Sequence, residues 1–270
     1  MEHAKILKQE ELYRVEEIIL IDGDKKIYGL AYIPNKEGKK PLVIYSHEMC
    51  YSHNYGIPYA QRLAKNGYAA YTFDFRGGAP VNRSNGSSLE MTMLTEVEDL
   101  KMVLSHANNW DFVDPSHIYL LGASLGGVVS AITAAQMAEQ IAGLILLYPA
   151  FPIVEEIHDT FGAKENIPEE YMAYGWMKVS KKYALDIWDI DVYETIVQYQ
   201  KKVLILHGDR DETIPLEFSC RAQREYKDAQ LFVLPGAGHI FQAEYVNQAF
   251  DYIKAYLDER TGRNGDFYGK

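Results

Sequence analysis

The chain has 270 residues, and with 47% hydrophobic and 24% charged residues it has ample apolar material for a folded core. Its 27 Lys and Arg against 38 Asp and Glu give a formal net charge of −11, which disfavours nucleic acid and anionic membrane surfaces as partners. No apolar run approaches the roughly 18 residues that span a bilayer, and the charged N-terminal segment lacks a signal-peptide pattern. Since there are only two cysteines, we expect a reduced, cytoplasmic protein.

The first predicted elements are strands. Two β-rich runs, 13–20 and 26–34, are joined by Asp22-Gly23-Asp24, which is a hairpin turn signal. Six further apolar runs follow, and their nearly continuous apolar character is typical of strands buried on both faces of a parallel sheet. These runs are 41–47, 68–75, 117–123, 141–149, 202–208 and 229–236.

Segments with helical spacing separate most of these strands. In 90–107 the apolar residues Leu94, Val97, Leu100 and Leu104 recur every three or four positions, which predicts a helix with one buried face. Further helices are predicted at 125–140, 215–227 and 244–259. The alternation of strands and helices behind a hairpin predicts a doubly wound, mostly parallel α/β sheet.

One interval breaks this alternation. About fifty residues separate the strand ending near Pro149 from the strand starting near Lys201, and a structureless loop of that length is unusual in a compact domain. We therefore expect residues 1–150 and 200–270 to form the core and residues 151–199 to form an inserted cap. Within the core, the tail 260–270 is expected to be frayed.

A glycine-rich turn, Gly122-Ala123-Ser124-Leu125-Gly126, connects the strand predicted at 117–123 to the helix that follows it. The pattern G-x-S-x-G between a strand and a helix is typical of a nucleophilic serine held clear of the sheet on a strained turn. The alternative interpretation is an ordinary glycine-rich turn in which the serine is incidental.

Candidate partners for this serine follow the last two predicted strands. A serine hydroxyl needs a base, and the base needs a group that orients it. Asp209 and Asp211 follow one strand, and His239 follows the next, which gives the chain order serine, acid, histidine. Asp209 is suited to capping the turn, so Asp211 is preferred as the acid. Residue type, order and position at strand ends together predict a triad of Ser124, His239 and Asp211.

A tetrahedral oxyanion would need hydrogen-bond donors as well. The backbone N–H of Leu125, directly after the serine, is one candidate, and that of Met49, in the loop after the strand 41–47, is the second. His47 in the same loop is expected to be structural, because no cluster of His, Cys or carboxylate residues accompanies it. We expect no metal and no other cofactor.

Taken together, these motifs resemble the α/β-hydrolase superfamily and, more narrowly, the cinnamoyl and feruloyl esterases. Monoacylglycerol lipase-like and serine aminopeptidase-like hydrolases are relatives of that group. The resemblance covers about residues 14–258 and is carried by LVIYSHEM, FDFRGG, IYLLGASLGGVVS, VLILHGDRDETIP and PGAGHIF. It implies the α/β-hydrolase fold and ester hydrolysis through an acyl-enzyme at the predicted triad.

The resemblance also implies a cap over the pocket. In the feruloyl esterase-like group such a cap helps to bind the aromatic acyl part of the substrate. On that analogy Tyr174, Trp176 and Tyr183 are candidate substrate contacts, and packing of the cap against the core is the alternative role for each.

Two loops depart from the family pattern. His47-Glu48-Met49 stands where relatives usually have His-Gly-Phe, and a carboxylate aimed at the oxyanion would oppose its charge. We expect Glu48 to turn away toward Arg76; a second hypothesis is that it recognises a cationic group of the substrate. Residues 76–80 read Arg-Gly-Gly-Ala-Pro where relatives commonly have Gly-His-Gly-x-Ser, so substrate preference is expected to differ.

The leading hypothesis is a serine esterase that acts on a small-molecule ester with a small or aromatic acyl part, without nucleic acid or membrane partners. The second is a monoacylglycerol lipase-like or aminopeptidase-like serine hydrolase. The third is a ligand-binding relative with little turnover, for which the altered loop at Glu48 is the only support. The sequence alone leaves the choice among them open.

Overall fold

The computed structural model describes residues 2–263. Nine strands form one central sheet, and two short strands form a separate hairpin. The strands are β1 (Glu2–Gln9), β2 (Tyr13–Asp22), β3 (Lys25–Pro34), β4 (Lys40–Ser46), β5 (Ala69–Phe73), β6 (Val113–Ala123), β7 (Gly143–Leu147), β8 (Glu170–Ala173), β9 (Met177–Ser180), β10 (Val203–Gly208) and β11 (Ala229–Leu234).

The strand order in the large sheet is β1-β2-β3-β5-β4-β6-β7-β10-β11. The pairs among β1, β2, β3 and β5 are antiparallel, and every pair from β5 to β11 is parallel. Parallel neighbours require crossover connections, and here most of these connections contain helices. The predicted doubly wound, mostly parallel α/β fold is therefore confirmed.

Helices cover both faces of the sheet. They are α1 (Ile57–Lys65), α2 (Met93–Ala107), α3 (Leu125–Gln136), α4 (Ile153–Phe161), α5 (Lys181–Leu185), α6 (Val192–Ile196), α7 (Leu216–Glu225) and α8 (Ala243–Arg260). One face packs against α2 and α3, and the other against α1 and α8. Among the described residues, no helix combines the length and the apolar character needed to cross a membrane.

Alternation along the buried strands divides the core between these two faces. In β4 the side chains of Leu42 and Ile44 join the cluster that contains α2 and α3, whereas Val43 and Tyr45 join the cluster that contains α1 and α8. Successive side chains of a strand point to opposite faces, so an apolar run such as this one fills both layers. The site-bearing strand ends are thus fixed by packing from two sides.

The predicted cap, residues 151–199, holds α4, the hairpin of β8 and β9, α5 and α6. Its buried side chains, among them Ile157, Val179 and Ile187, belong to the same hydrophobic cluster as α2 and α3. This segment is consequently packed on the core through a shared apolar layer. A three-residue turn, Tyr174-Gly175-Trp176, closes the hairpin; Tyr174 and Gly175 have positive φ, and Trp176 is exposed.

Three features differ from the sequence-based expectations or extend them. Strand β1 and helix α1 were not predicted, although β1 extends the sheet by pairing with β2. The described side chains of β1, residues 4–9, are exposed, so they show no alternation between buried and exposed positions. Helix α8 ends at Arg260, and residues 264–270 of the tail expected to be frayed lie outside the described residues.

Candidate active site

Ser124 occupies a sharp turn between β6 and α3. Its backbone has φ 51° and ψ −119°, a conformation that side-chain-bearing residues rarely adopt. The turn is fixed from two sides, because the Ser124 N–H donates to the Leu147 carbonyl at 3.0 Å and the Ala150 N–H donates to the Ser124 carbonyl at 3.0 Å. The hydroxyl consequently stands at the N-terminus of α3, where the helix dipole favours negative charge.

The glycines on either side of Ser124 allow α3 to approach the sheet closely. A Cβ on Gly122 would lie 2.2 Å from the Gly126 carbonyl oxygen, and a Cβ on Gly126 would lie 2.3 Å from the Ser46 carbonyl oxygen. Neither φ is positive, so the requirement is for space and not for a left-handed backbone. The motif thus places the start of α3 directly against the ends of β4 and β6.

The structure brings Ser124, His239 and Asp211 together in a chain of hydrogen bonds. Nε2 of His239 lies 3.0 Å from Oγ of Ser124, and Nδ1 of His239 lies 2.8 Å from Oδ2 of Asp211. Asp211 is completely buried at its side chain, whereas His239 retains slight exposure. This arrangement can move a proton from the serine hydroxyl to the imidazole, with the carboxylate holding the ring in orientation.

Asp211 is held as a carboxylate by four donors. Burial alone would raise its pKa, but hydrogen bonds from His207, His239 and the Ile214 N–H outweigh that effect and keep the pKa well below its usual range. Its Oδ1 accepts from the N–H groups of Thr213 and Ile214 at 2.9 and 2.8 Å, and Nε2 of His207 lies 3.1 Å from Oδ2. His207 is a contributor that the motif analysis missed, although it lies within the HGDRD segment.

Asp209 has a structural role, although its side chain bonds to a different loop and not within its own turn as predicted. Its Oδ1 accepts a hydrogen bond from the Gly236 N–H at 2.6 Å and so ties the loop after β10 to the loop after β11. The Gly236 N–H is thereby satisfied, and the loop that carries His239 is held in place. Asp209 makes no contact with His239 in the described hydrogen bonds.

The two predicted oxyanion donors both line the cavity that contains Ser124. Within residues 2–263, neither the N–H of Met49 nor that of Leu125 donates a hydrogen bond to another protein atom. Leu125 is the first residue of α3, where a helix leaves its N–H groups unpaired. Both groups are therefore available to a ligand oxygen, and their role as oxyanion donors stays a prediction.

His47 holds the loop that carries Met49. Its Nδ1–H donates to the Glu48 carbonyl at 2.7 Å, and its Nε2 accepts from the Phe75 N–H at 3.2 Å. The expected structural role is confirmed by these two contacts. Burial lowers the pKa of His47 to about 4, so the imidazole is neutral at pH 7.

The expectation that Glu48 turns toward Arg76 is wrong. Arg76 pairs with Asp99 through its Nε at 2.7 Å, while the Glu48 carboxyl accepts hydrogen bonds from the hydroxyls of Tyr45 at 3.2 Å and Tyr148 at 2.9 Å. Burial raises the pKa of Glu48, and these hydrogen bonds act in the opposite direction. Two tyrosine hydroxyls, one from β4 and one from the residue directly after β7, hold the carboxyl instead of an arginine.

The cavity around Ser124 has a volume of about 510 Å³ and is lined by residues of the core and of the predicted cap. Tyr174 and Trp176 of the hairpin line it, and Trp176 is 78% exposed. The Tyr174 hydroxyl donates to Glu156 at 2.7 Å, which holds its ring near the opening.

Tyr183 does not line this cavity. Its ring is buried and its hydroxyl donates to Sδ of Met49 at 3.7 Å, so its assignment as a substrate contact is corrected.

Tyr148 is a site residue that the sequence analysis missed. It has φ 36°, its ring meets the His239 imidazole edge-on at 5.0 Å, and its hydroxyl donates to Glu48. The feature of the sequence that could have revealed it is its position directly after β7, the neighbour of the strand that carries Ser124.

Within the described residues, no three or more His, Cys, Asp or Glu side chains are grouped so that they could hold a metal ion.

Comparison with known proteins assigns the family. Residues 57–264, more than three quarters of the chain, match the prolyl oligopeptidase family. The chain belongs to that family. A stretch of 96 residues is 32% identical to an uncharacterized 31.7 kDa protein from the traX-finO intergenic region of Escherichia coli, and it covers 35% of this chain and 32% of that protein. The chain thus matches about a third of that relative's length.

Solved structures of this fold include two esterases. Est1E from Butyrivibrio proteoclasticus, with ferulic acid bound, has 27% identity and a TM-score of 0.82, covering 90% of this chain and 99% of its own. An acetyl xylan esterase from Paenibacillus sp. R4 has 16% identity and a TM-score of 0.69, covering 94% and 88%. At that identity the second likeness concerns the fold alone. These matches confirm the resemblance that the sequence showed to α/β-hydrolases of the esterase kind.

The close approach at Gly126 generates a stability prediction. We expect Gly126→Ala to lower the free energy of unfolding by about 1 to 3 kcal/mol, because the added methyl would overlap backbone oxygens that cannot rotate away. Gly238→Ala is the control, since its Cβ would meet its nearest neighbour at 3.7 Å. Urea denaturation of both variants checks this, and equal stabilities would contradict it.

The buried neutral His47 generates a pH prediction. The unfolded chain binds a proton near pH 6.5 and the folded chain only near pH 4, so acidification through this window favours unfolding. Between pH 7 and pH 5 this residue should remove about 2 kcal/mol from the free energy of unfolding. The His47→Gln variant should lose that much less over the same interval, measured by urea denaturation at both pH values. An unchanged pH dependence would refute the assignment.

Proposed function

We propose that this protein is a serine carboxylic-ester hydrolase that acts through an acyl-enzyme. The observation that carries the proposal is the hydrogen-bonded chain from Ser124 through His239 to Asp211, opening on the cavity of about 510 Å³. A volume in this range suits a small-molecule substrate. The strained backbone of Ser124 adds support, because strain of this kind accumulates at functional sites.

In the first half-reaction the Ser124 Oγ attacks the ester carbonyl carbon while its proton passes to Nε2 of His239. The carbonyl oxygen gains the negative charge and accepts hydrogen bonds from the N–H groups of Met49 and Leu125. The carbon–oxygen bond to the alcohol then breaks, and His239 gives its proton to the leaving alcohol. The acyl group remains as an ester of Ser124.

In the second half-reaction a water molecule takes the place of the alcohol. His239 accepts one proton from the water as the hydroxide attacks the acyl carbon, and the same oxyanion donors hold the second tetrahedral intermediate. The bond to Ser124 breaks, Oγ recovers its proton from His239, and the carboxylic acid leaves. Asp211 stays ionised throughout, because its donors favour the charged form.

We further propose an acyl part that is aromatic or small. Est1E, which has ferulic acid bound in its structure, supports this choice at 27% identity. In the present chain the exposed Trp176 and the half-exposed Tyr174 offer aromatic surface beside the cavity. An aromatic acyl group could stack on these rings while its carbonyl lies beside Ser124.

A second candidate function is amide hydrolysis on short aminoacyl substrates. It is favoured by membership of the prolyl oligopeptidase family and by the Glu48 carboxyl in the lining of the cavity. The same triad would serve, since His239 can protonate an amine leaving group as well as an alcohol. Including an aminoacyl p-nitroanilide beside the esters separates the two functions.

A nucleophile test uses p-nitrophenyl acetate, p-nitrophenyl butyrate, methyl ferulate and the aminoacyl anilide. We expect Ser124→Ala to abolish turnover and Asp211→Asn to lower kcat by about 10³ to 10⁴, because the amide no longer fixes the useful tautomer of His239. Asp209→Asn is the matched control and should retain most activity, since the Asp209 side chain accepts from the Gly236 N–H and bonds to no triad residue in the described part of the chain. Turnover that persists in Ser124→Ala would refute the proposal.

An aromatic-acyl test compares Trp176→Ala with wild type. We expect KM for methyl ferulate to rise about tenfold, because the indole surface is lost, while KM for methyl acetate stays within about twofold. Trp176 is 78% exposed, so its removal should not unfold the chain. Tyr183→Phe should leave both KM values unchanged, and an equal rise for both esters in Trp176→Ala would contradict a specific aromatic contact.

A further inference from the structure

A second cavity, of about 630 Å³, adjoins the cavity that contains Ser124. The two share Glu48, Tyr51 and Ile240 in their linings. The second cavity lies between the loop after β4, the start of α1 and the loop that follows His239. The proposed ester hydrolysis assigns no role to this cavity.

Its walls are rich in tyrosine. Five tyrosines line it: Tyr45, Tyr51, Tyr55, Tyr59 and Tyr148. The rings of Tyr45 and Tyr59 stack with centroids 6.0 Å apart, and those of Tyr51 and Tyr55 meet edge-on at 4.1 Å. Tyrosine rings attract cations as well as apolar groups, because their π faces carry partial negative charge.

One carboxyl group lies among these rings. Glu48 is 3% exposed, and within residues 2–263 no Lys, Arg or His side chain comes within ion-pair distance of its carboxyl. In the described part of the chain its side-chain donors are the hydroxyls of Tyr45 and Tyr148. Arg62 also lines the cavity; its guanidinium donates to two neutral acceptors, the Pro58 carbonyl and Asn247, and among the described residues it forms no ion pair with Glu48. A buried carboxylate without a cation is costly unless something supplies the opposite charge.

The Tyr59 hydroxyl is a second sign of an unfilled site. It is buried and has no hydrogen-bond partner among the described residues. Tyr59 and Glu48 line the same cavity, and the Tyr59 ring stacks on Tyr45, whose hydroxyl donates to Glu48. Buried polar groups normally have partners, so an unpaired hydroxyl in the same cavity as a carboxyl without a counter-ion points to a ligand that completes the cavity.

We propose that this second cavity binds the ammonium group of a small organic cation. An ammonium supplies the positive counter-charge that is missing beside the Glu48 carboxyl, and the surrounding tyrosine rings stabilise the ammonium by cation–π attraction. A neutral aromatic or polyol ligand would fill the walls but leave the carboxylate uncompensated. The net charge of −11 favours the approach of a cation.

The place of the cavity suggests which part of a substrate would carry the cation. The residue after His239, Ile240, lines both cavities, and His239 is the group that would protonate the leaving alcohol. If the proposed ester hydrolysis holds, the second cavity therefore receives the alcohol part, and esters of amino alcohols are the substrate class. This substrate class rests on the proposed function, whereas binding of the cation does not.

The test measures binding by calorimetry with the full chain. Choline is compared with 3,3-dimethyl-1-butanol, which has the same shape without the charge. We expect choline to bind at least about tenfold more tightly, and Glu48→Gln to abolish that preference. Tyr55→Leu removes one aromatic wall at a residue that is 43% exposed, and it should weaken choline about three- to tenfold with little effect on the neutral alcohol.

Equal affinity for the two compounds would overturn the proposal, as would a preference for choline that survives in Glu48→Gln. Trp176→Ala, which alters only the first cavity, should leave choline binding unchanged; loss of binding there would place the cation beside Ser124 and also overturn the proposal. If Glu48→Gln does not fold, Tyr55→Leu decides alone. Because these experiments measure binding without turnover, absence of esterase activity would leave their outcome intact.

Discussion

The close contact between α3 and the sheet at Gly122 and Gly126 is the constraint on which the site depends. It forces a sharp reversal of the chain after β6, and this reversal is what holds Ser124 in its unusual backbone conformation. Asp211, His239 and the loop of Met49 each follow a parallel strand of the same sheet, and the carboxyl ends of these strands meet at one edge. Strand order, fixed by the two-sided core, thereby sets the distances between serine, imidazole and carboxylate.

Two buried carboxyl groups flank this edge, and their surroundings drive them in opposite directions. Asp211 accepts hydrogen bonds from two histidines and two backbone N–H groups. Together these bonds stabilise the carboxylate by more than burial destabilises it, so the pKa of Asp211 is lowered. Glu48 receives two tyrosine hydroxyls, which are weaker donors than charged or multiple N–H groups, and burial prevails. The number and kind of donors, and not burial itself, decide which of the two is suited to a permanent negative charge.

The sequence revealed those features that depend on local pattern. Strand runs, the glycine-flanked Ser124 and the positions of Asp211 and His239 could be predicted because each follows from neighbours along the chain. Contacts between distant segments could not: Tyr148 meets Glu48 across 100 residues, and the edge strand β1 has no buried face to mark it. Tyr183 illustrates the same limit, since its residue type suits a substrate contact, yet packing behind Met49 decides its role.

The hairpin of β8 and β9 has an evolutionary consequence. It lies within one continuous excursion between β7 and β10, two strands that are already paired with each other in the central sheet. Changes in its length or in its tip residues would therefore leave sheet register and the serine turn untouched. The hairpin could therefore be exchanged as a module, while the arrangement of Ser124, His239 and Asp211 at the strand ends is inherited unaltered.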